Sequence, residues 1–169
     1  MKHFIVVDMQ NDFCTGALAN PDAVAIIPRI KAELQKAKAE KANIIFTRDT
    51  HSENYLETGE GKHLPVKHCV KNSEGWLVVP ELMEEADEKT TFIDKLHFGF
   101  DKWADYIKEG DEVTICGTVT SICVASNALA LKAIEGVEVT VIADCCEGLS
   151  KEDHEAALKV MGCCQCNII

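Results

Sequence analysis

Three side chains far apart in the sequence carry the chemistry this chain could perform: the carboxyl of Asp8, the ammonium of Lys95 and the thiol of Cys123. A thiol becomes a useful nucleophile when a neighbouring group can take its proton, and the same group can later hand a proton to a departing amine. An acid, a cation and a thiol gathered in one place therefore meet the needs of a thiol that cleaves amides. Each also has a plain structural reading. Asp8 could cap a loop, Lys95 could lay its stem along a sheet with its head in water, and Cys123 on an apolar helix could be an ordinary core thiol. What decides between the readings is whether the chain brings the three together.

The elements that would do so are legible as short apolar runs alternating with helical patterns, the mark of repeated βαβ units. "HFIVVDM" reads as a first strand, and the segment from about Val24 to Lys41 as a helix with Val24, Ile27, Ile30 and Leu34 on one face. "NIIFTRD" is a second strand, followed by a charged, glycine-containing loop from Thr50 to Gly75. "TTFIDKL" is a third strand, "FDKWADYIKEG" a short helix closed by Gly110, and "DEVTICG" a fourth strand. "SICVASNALALKAIEG" then reads as a helix, "VEVTVIADC" as a fifth strand, "KEDHEAALKVMG" as a helix and "CCQCNII" as a sixth strand. Strands apolar throughout are covered on both faces. The expectation is thus an α/β fold, a single domain over residues 1–169 with three αβα layers and a six-stranded, mostly parallel sheet. In such sheets ligands bind beyond the carboxyl ends of the strands. Asp8, Asp49 and Lys95 close the first three strands, and Cys123 lies in the turn and first helical residues after the fourth. A helix N-terminus there is expected to lower the thiol's pKa.

"VVDMQNDF", "FIDKLHFG" and "CGTVTSICVASNALALKA", in that order, resemble the three signature blocks of the isochorismatase-like cysteine hydrolases. "RDTHSENY" followed by "LPVKHCVKNSEGW" is similar to the nicotinamidase branch of that superfamily, and the likeness runs to the closing "DHEAALKVM". The resemblance implies Asp8 as general base, Lys95 as the family's cation and Cys123 as nucleophile. It also implies a cis peptide at Thr118–Val119, with the backbone N–H groups of Val119 and Cys123 forming an oxyanion hole. The reaction it implies is attack by the thiol sulfur, loss of ammonia and hydrolysis of a thioester, most simply nicotinamide to nicotinate. Asp49, His51 and His68 match the family's metal ligands, with Glu60 as the best match for a fourth and His63 as its competitor. Mixed imidazole and carboxylate ligation suits a divalent zinc, with iron or manganese as alternatives. In this family the ion is held to bind the ring nitrogen. Phe13 is expected to line the substrate pocket, as is Leu64, which stands where relatives commonly carry a tryptophan. The resemblance gives His97 no role and places His154 at a helix position that packs.

Composition limits the remaining functions. The 169 residues include 17 Lys and Arg against 28 Asp and Glu, a net charge of −11, with no basic run to neutralise phosphates, so nucleic acid is not an expected partner. No apolar stretch approaches the thickness of a bilayer and no leader pattern opens the chain, so no membrane association is expected and the expected location is cytoplasmic. Nine cysteines, an odd number at irregular spacing, fit a reducing compartment. Cys163, Cys164 and Cys166, like the adjacent Cys145 and Cys146, read as strand-buried thiols; a metal-binding or thiol-redox module built on them is the non-enzyme alternative. Within the enzyme class the alternative is an isochorismatase or another small-amide hydrolase. Isochorismate carries two carboxylates, for which the chain offers only Arg29 and Arg48 as bidentate clamps. A small neutral amide is the expected partner, and a homo-oligomer is left open.

Overall fold

The computed structural model describes residues 1–169. Six strands, β1 (Lys2–Val7), β2 (Asn43–Asp49), β3 (Thr91–Lys95), β4 (Glu112–Thr118), β5 (Glu138–Glu147) and β6 (Asn167–Ile168), form one sheet in the order β3-β2-β1-β4-β5-β6. Every neighbouring pair is parallel. From β1 the chain steps outward through β2 to β3, then returns to the other side of β1 and steps outward through β5 to β6. Crossovers between parallel strands are right-handed, so reversing the direction of travel moves the connecting helices to the opposite face. The Pro21–Ala39 helix accordingly packs along β1, β2, β4 and β5 with the short Pro80–Met83 helix beside it, while the Ala125–Lys132 and Lys151–Cys163 helices pack together. The result is a three-layer α/β architecture. Its core runs through the strand interiors, from Ile5, Val6 and Val7 to Ile115, Val139 and Val141, all fully buried.

The local elements follow from local chemistry. Asn20 accepts a hydrogen bond from the Asp22 N–H and Pro21 opens the first turn, so the long helix begins there rather than at Val24. Its buried face is Ala23, Ile26, Ile27, Ile30 and Leu34, and Val24 lies outside it, 38% exposed. Ser150 caps the Lys151–Cys163 helix through the Asp153 N–H. The helix expected over residues 100–110 shrinks to Trp103–Tyr106, and the sixth strand to Asn167–Ile168, because the last helix runs on through Cys163. Cys163 and Cys164 are therefore exposed, not strand-buried, while Cys145, Cys146 and Cys166 are buried; all nine cysteines are free. The loop between β2 and β3 is stiffened by short turns at Tyr55–Glu57, Gly59–His63 and Glu74–Trp76. No helix is long and apolar enough to cross a membrane.

The order of strands decides where function can sit. β1 and β4 are adjacent, yet their continuations leave in opposite directions, which opens a crevice at their carboxyl ends. Asp8 follows β1 and the Thr120–Val124 turn follows β4, so both border that crevice.

Candidate active site

Asp8 does not close β1 but stands one residue beyond it, at φ 51°, in the left-handed region where the chain leaves the strand direction. Its N–H still bonds the Thr47 carbonyl at 3.2 Å, and Thr47 Oγ1 donates to Asp8 Oδ1 at 2.7 Å. Asp49 and Lys95 are the last residues of β2 and β3 and are paired in register. Lys95, only 1% exposed, places Nζ 2.6 Å from Asp8 Oδ2, 3.5 Å from Asp49 Oδ1 and 3.7 Å from Cys123 Sγ. The acid, the cation and the thiol foreseen from sequence thus share one buried cluster.

Burial and mutual charge set its protonation. Burial lifts the pKa of Asp8 above the ordinary carboxylate value, the Lys95 ammonium offsets only part of this, and Asp49 adds to it. Burial opposes the charge on Lys95, but Asp8, Cys123 and Asp49 outweigh that penalty and raise its pKa, so it stays an ammonium. Cys123 is pushed well above the usual thiol value, first by burial and then by the Asp8 carboxylate, with Lys95 pulling the other way. This corrects the expected lowering. Cys123 lies in a π-helical turn, Thr120–Val124, ahead of the α-helix proper at Ala125, and is 5% exposed beside a carboxylate. The resting sulfur is a thiol, and the adjacent carboxyl group with a raised affinity for protons is Asp8.

A cavity of about 340 Å³ opens onto Cys123. Phe13, Leu64, Phe98, Ile122 and Leu149 line it, with Asp49, Glu60 and His68 at one side and Thr118 and Val119 at another. The Thr118–Val119 peptide is cis, and the Val119 N–H donates to no protein acceptor. No arginine or lysine lines the cavity. Arg48 is engaged elsewhere, paired with Asp94 at 2.7 Å and lying over the Trp76 ring, and Arg29 donates to the Asp144 carbonyl.

The second cluster joins Asp49, His51, Glu60 and His68, the only group of potential metal ligands in the molecule, with donor atoms all within 4.8 Å of one another. His51 is brought to His68 by a parallel bridge between residues 51 and 70, in which the His51 N–H bonds the Cys69 carbonyl at 2.9 Å. His68 Nδ1 lies 2.7 Å from the Val66 carbonyl and must donate to it, which leaves Nε2 with a free lone pair. Nε2 of His51 is 3.0 Å and that of His68 3.6 Å from Asp49 Oδ2, and they are 3.7 and 3.8 Å from Glu60 Oε1. Donors on one ion at about 2.1 Å stand roughly 3 to 3.4 Å apart, so this set fits a divalent metal after small adjustments. His63 is excluded from it: its ring turns to the Gly59 carbonyl at 2.8 Å and is exposed. Burial raises the pKa of Asp49, but the adjoining His51 and His68 rings and the nearby Lys95 ammonium outweigh it and bring the carboxyl well below the usual range.

The Isochorismatase domain family model matches residues 2–169. This chain belongs to the isochorismatase family. A nicotinamidase of Saccharomyces cerevisiae is 28% identical over 205 aligned positions, covering 95% of this chain and 94% of the yeast protein. The crystal structure of a pyrazinamidase of Pyrococcus horikoshii in complex with zinc superposes with a TM-score of 0.82 at 34% identity, covering 99% of this chain and 98% of that one. A pyrazinamidase/nicotinamidase from Streptococcus mutans UA159 superposes with a TM-score of 0.85 at 27% identity over the whole of both chains.

For this isochorismatase-family member, sequence reasoning missed the residues that hold the site in place. Gln10, fully buried, donates to the Asp49 and Trp76 carbonyls and accepts from the Asp49 N–H at 2.7 Å. Asp12 accepts from the N–H groups of Cys69 and Ala17, and so ties the segment carrying His68 to the end of β1. Tyr55 packs its ring 4.6 Å from that of His51 and 4.9 Å from that of His68. Phe98 adds a second aromatic ring to the cavity lining beside Phe13. A run of amides and acids directly after a buried strand, "DMQND", was the available signal for the first two.

Proposed function

We propose that this protein is a metal-assisted cysteine amidase acting on a small neutral heteroaryl amide, with nicotinamide to nicotinate and ammonia as its reaction. The contact of Asp8, Lys95 and Cys123 at the floor of an apolar cavity carries the reading. The nicotinamidase and pyrazinamidase names of its relatives support it.

In the reaction the Cys123 thiol gives its proton to Asp8 as sulfur bonds to the amide carbon, and the carbonyl oxygen takes the electron pair. The Val119 and Cys123 N–H groups receive that oxyanion. When it collapses, the C–N bond breaks and Asp8 passes its proton to the leaving nitrogen, releasing ammonia and a thioester. Asp8 then takes a proton from water as water attacks the thioester; the C–S bond breaks and the thiol is restored. Lys95 keeps Asp8 and sulfur in place and balances charge that would otherwise be buried unpaired. A divalent ion held by Asp49, His51, Glu60 and His68 would supply a Lewis-acid contact to a ring nitrogen; the donor set favours zinc, with iron or manganese next.

The absence of a cation on the cavity wall speaks against a dicarboxylate such as isochorismate, which needs paired charges. The cysteines outside the site form neither a disulfide nor a metal-capable cluster, which disfavours a redox or metal-storage module. Nine free cysteines favour the cytoplasm. Ammonia release from a panel of nicotinamide, benzamide and aliphatic amides, alongside the protein's metal content, tests the proposal. Nicotinamide should give the highest kcat/KM, and Cys123→Ala should abolish turnover with fold and metal content retained. Preference for an aliphatic amide would overturn the substrate, and turnover by Cys123→Ala would overturn the mechanism.

A further inference from the structure

Asn127, fully buried in the Ala125–Lys132 helix, uses every hydrogen-bonding capacity of its amide. Its Oδ1 accepts from the Phe100 backbone N–H and from the Trp103 indole N–H, both at 2.9 Å. Its Nδ2 donates to the Phe98 carbonyl at 3.0 Å and to the Cys123 carbonyl at 2.8 Å. Turning the amide over would set donor against donor and oxygen against oxygen at all four contacts, so only one orientation is allowed. The side chain bridges two segments that no shared strand or helix joins. One is the turn holding Cys123; the other is the loop after β3, whose His97 carbonyl accepts from Lys95 Nζ at 3.2 Å and whose Phe98 lines the cavity.

We propose that Asn127 is a positioning residue that locks the Cys123 turn to the Lys95–Phe98 loop, setting the sulfur's place beside Lys95 and the aromatic wall's distance from it. The proposal rests on Cys123 being the nucleophile. An apolar residue of the same size would fill the space, but it would remove all four bonds, two of them buried, and leave the two segments free to shift. A shift of about 1 Å at a reacting centre can cost on the order of 10²-fold in rate.

The test compares Asn127→Asp, which keeps the size and both accepted bonds but loses both donors, with Trp103→Phe, which removes one accepted bond and leaves the contacts to Cys123 and Phe98. For each, kcat and KM for nicotinamide, the thermal midpoint, and the rate of Cys123 alkylation by iodoacetamide relative to exposed Cys163 are measured, the last by peptide mass spectrometry. Asn127→Asp should lower kcat by about 10-fold or more, raise KM by about 3-fold and change the Cys123-to-Cys163 ratio by about 5-fold or more. Trp103→Phe should lower the thermal midpoint and leave the other readouts within about twofold. The proposal is overturned if Asn127→Asp keeps kcat, KM and the alkylation ratio at parental values, or if Trp103→Phe at equal thermal loss shows the same defects. Should Asn127→Asp not fold, Asn127→Ser takes its place under the same criteria. A parent that releases no ammonia from nicotinamide would sink the substrate reading, while the alkylation ratio would still decide the role of Asn127.

Discussion

At the scale of single residues, the site is a balance of buried charge. Asp8 adds to the effect of burial in favouring the Cys123 thiol and also receives its proton, so one substitution should separate the two effects. Asp8→Asn removes the acceptor and should slow amide turnover by a factor on the order of 10² or more. It also removes a negative charge that raises the Cys123 pKa and leaves Lys95 without its nearest partner, so the pH midpoint for alkylation of Cys123 should fall. Turnover at the parental rate would reduce Asp8 to a structural partner of Lys95. For the metal cluster, the geometry separates two histidines only five residues apart. His68→Ala should lose bound divalent metal, measured by elemental analysis after dialysis, whereas His63→Ala should retain it, because the His63 ring faces the Gly59 carbonyl.

At the scale of elements, the site depends on how β4 ends. Gly117 has φ 125°, and a Cβ built there would meet the Val7 carbonyl oxygen at 2.1 Å. The close approach of β4 to β1 at this point sets the spacing between Asp8 and the turn carrying Cys123. Gly117→Ala should therefore cost about 3 kcal/mol or more in stability, from backbone strain together with the clash, and abolish turnover. Gly59→Ala is the matched control: nothing lies within 4 Å of its added Cβ, it sits at the start of a short helix, and stability should change by less than about 1 kcal/mol. Denaturant unfolding of the two variants checks both. The loop between β2 and β3 acts in the same way, since the bridge of His51 to Val70 and the bond from the Cys69 N–H to Asp12 convert an irregular segment into a fixed ligand carrier.

At the scale of the whole molecule, the two edges of the sheet do different work. The carboxyl edge holds the charged clusters of the site, and the opposite edge holds Asp111, which receives the Met1 ammonium, the Lys108 N–H and His3 Nε2 at 3.1 Å. Burial raises the pKa of Asp111, but these contacts outweigh it and bring it down to about 2, from an ordinary 3.8. A depressed carboxylate pKa stabilises the fold in full above the unfolded value and loses that contribution as pH falls toward the folded one. Asp111→Asn should therefore be less stable than the parent at pH 7, with the difference in thermal midpoint shrinking as pH drops through the interval from 3.8 to about 2. A difference that stayed constant across that range would show that the charge of Asp111 does not contribute.

Much of this was legible in the sequence alone. Unbroken apolar runs such as "FIVV" and "IIF" determine buried parallel strands, and the polar residues directly after them determine which edge is chemical, because only strand ends let a buried run meet a cavity. Strand ends and the turn after the fourth strand single out Asp8, Asp49, Lys95 and Cys123 as candidates. The sequence could not set the protonation of Cys123, since that depends on burial and on the distance to Asp8 and Lys95, which reach it from β1 and β3. Nor could it choose Glu60 over His63, because the choice turns on how the Gly59–His63 turn orients two side chains three residues apart. Asn127 and Gln10 read as ordinary polar residues until the fold supplies each with three hydrogen bonds to distant segments, Asn127 adding a fourth to the Cys123 carbonyl one turn away. Periodicity and strand ends are local properties and survive in one dimension. Hydrogen-bond satisfaction and charge coupling arise only when segments remote in sequence are packed within a few ångströms, and here the tertiary structure alone decided them.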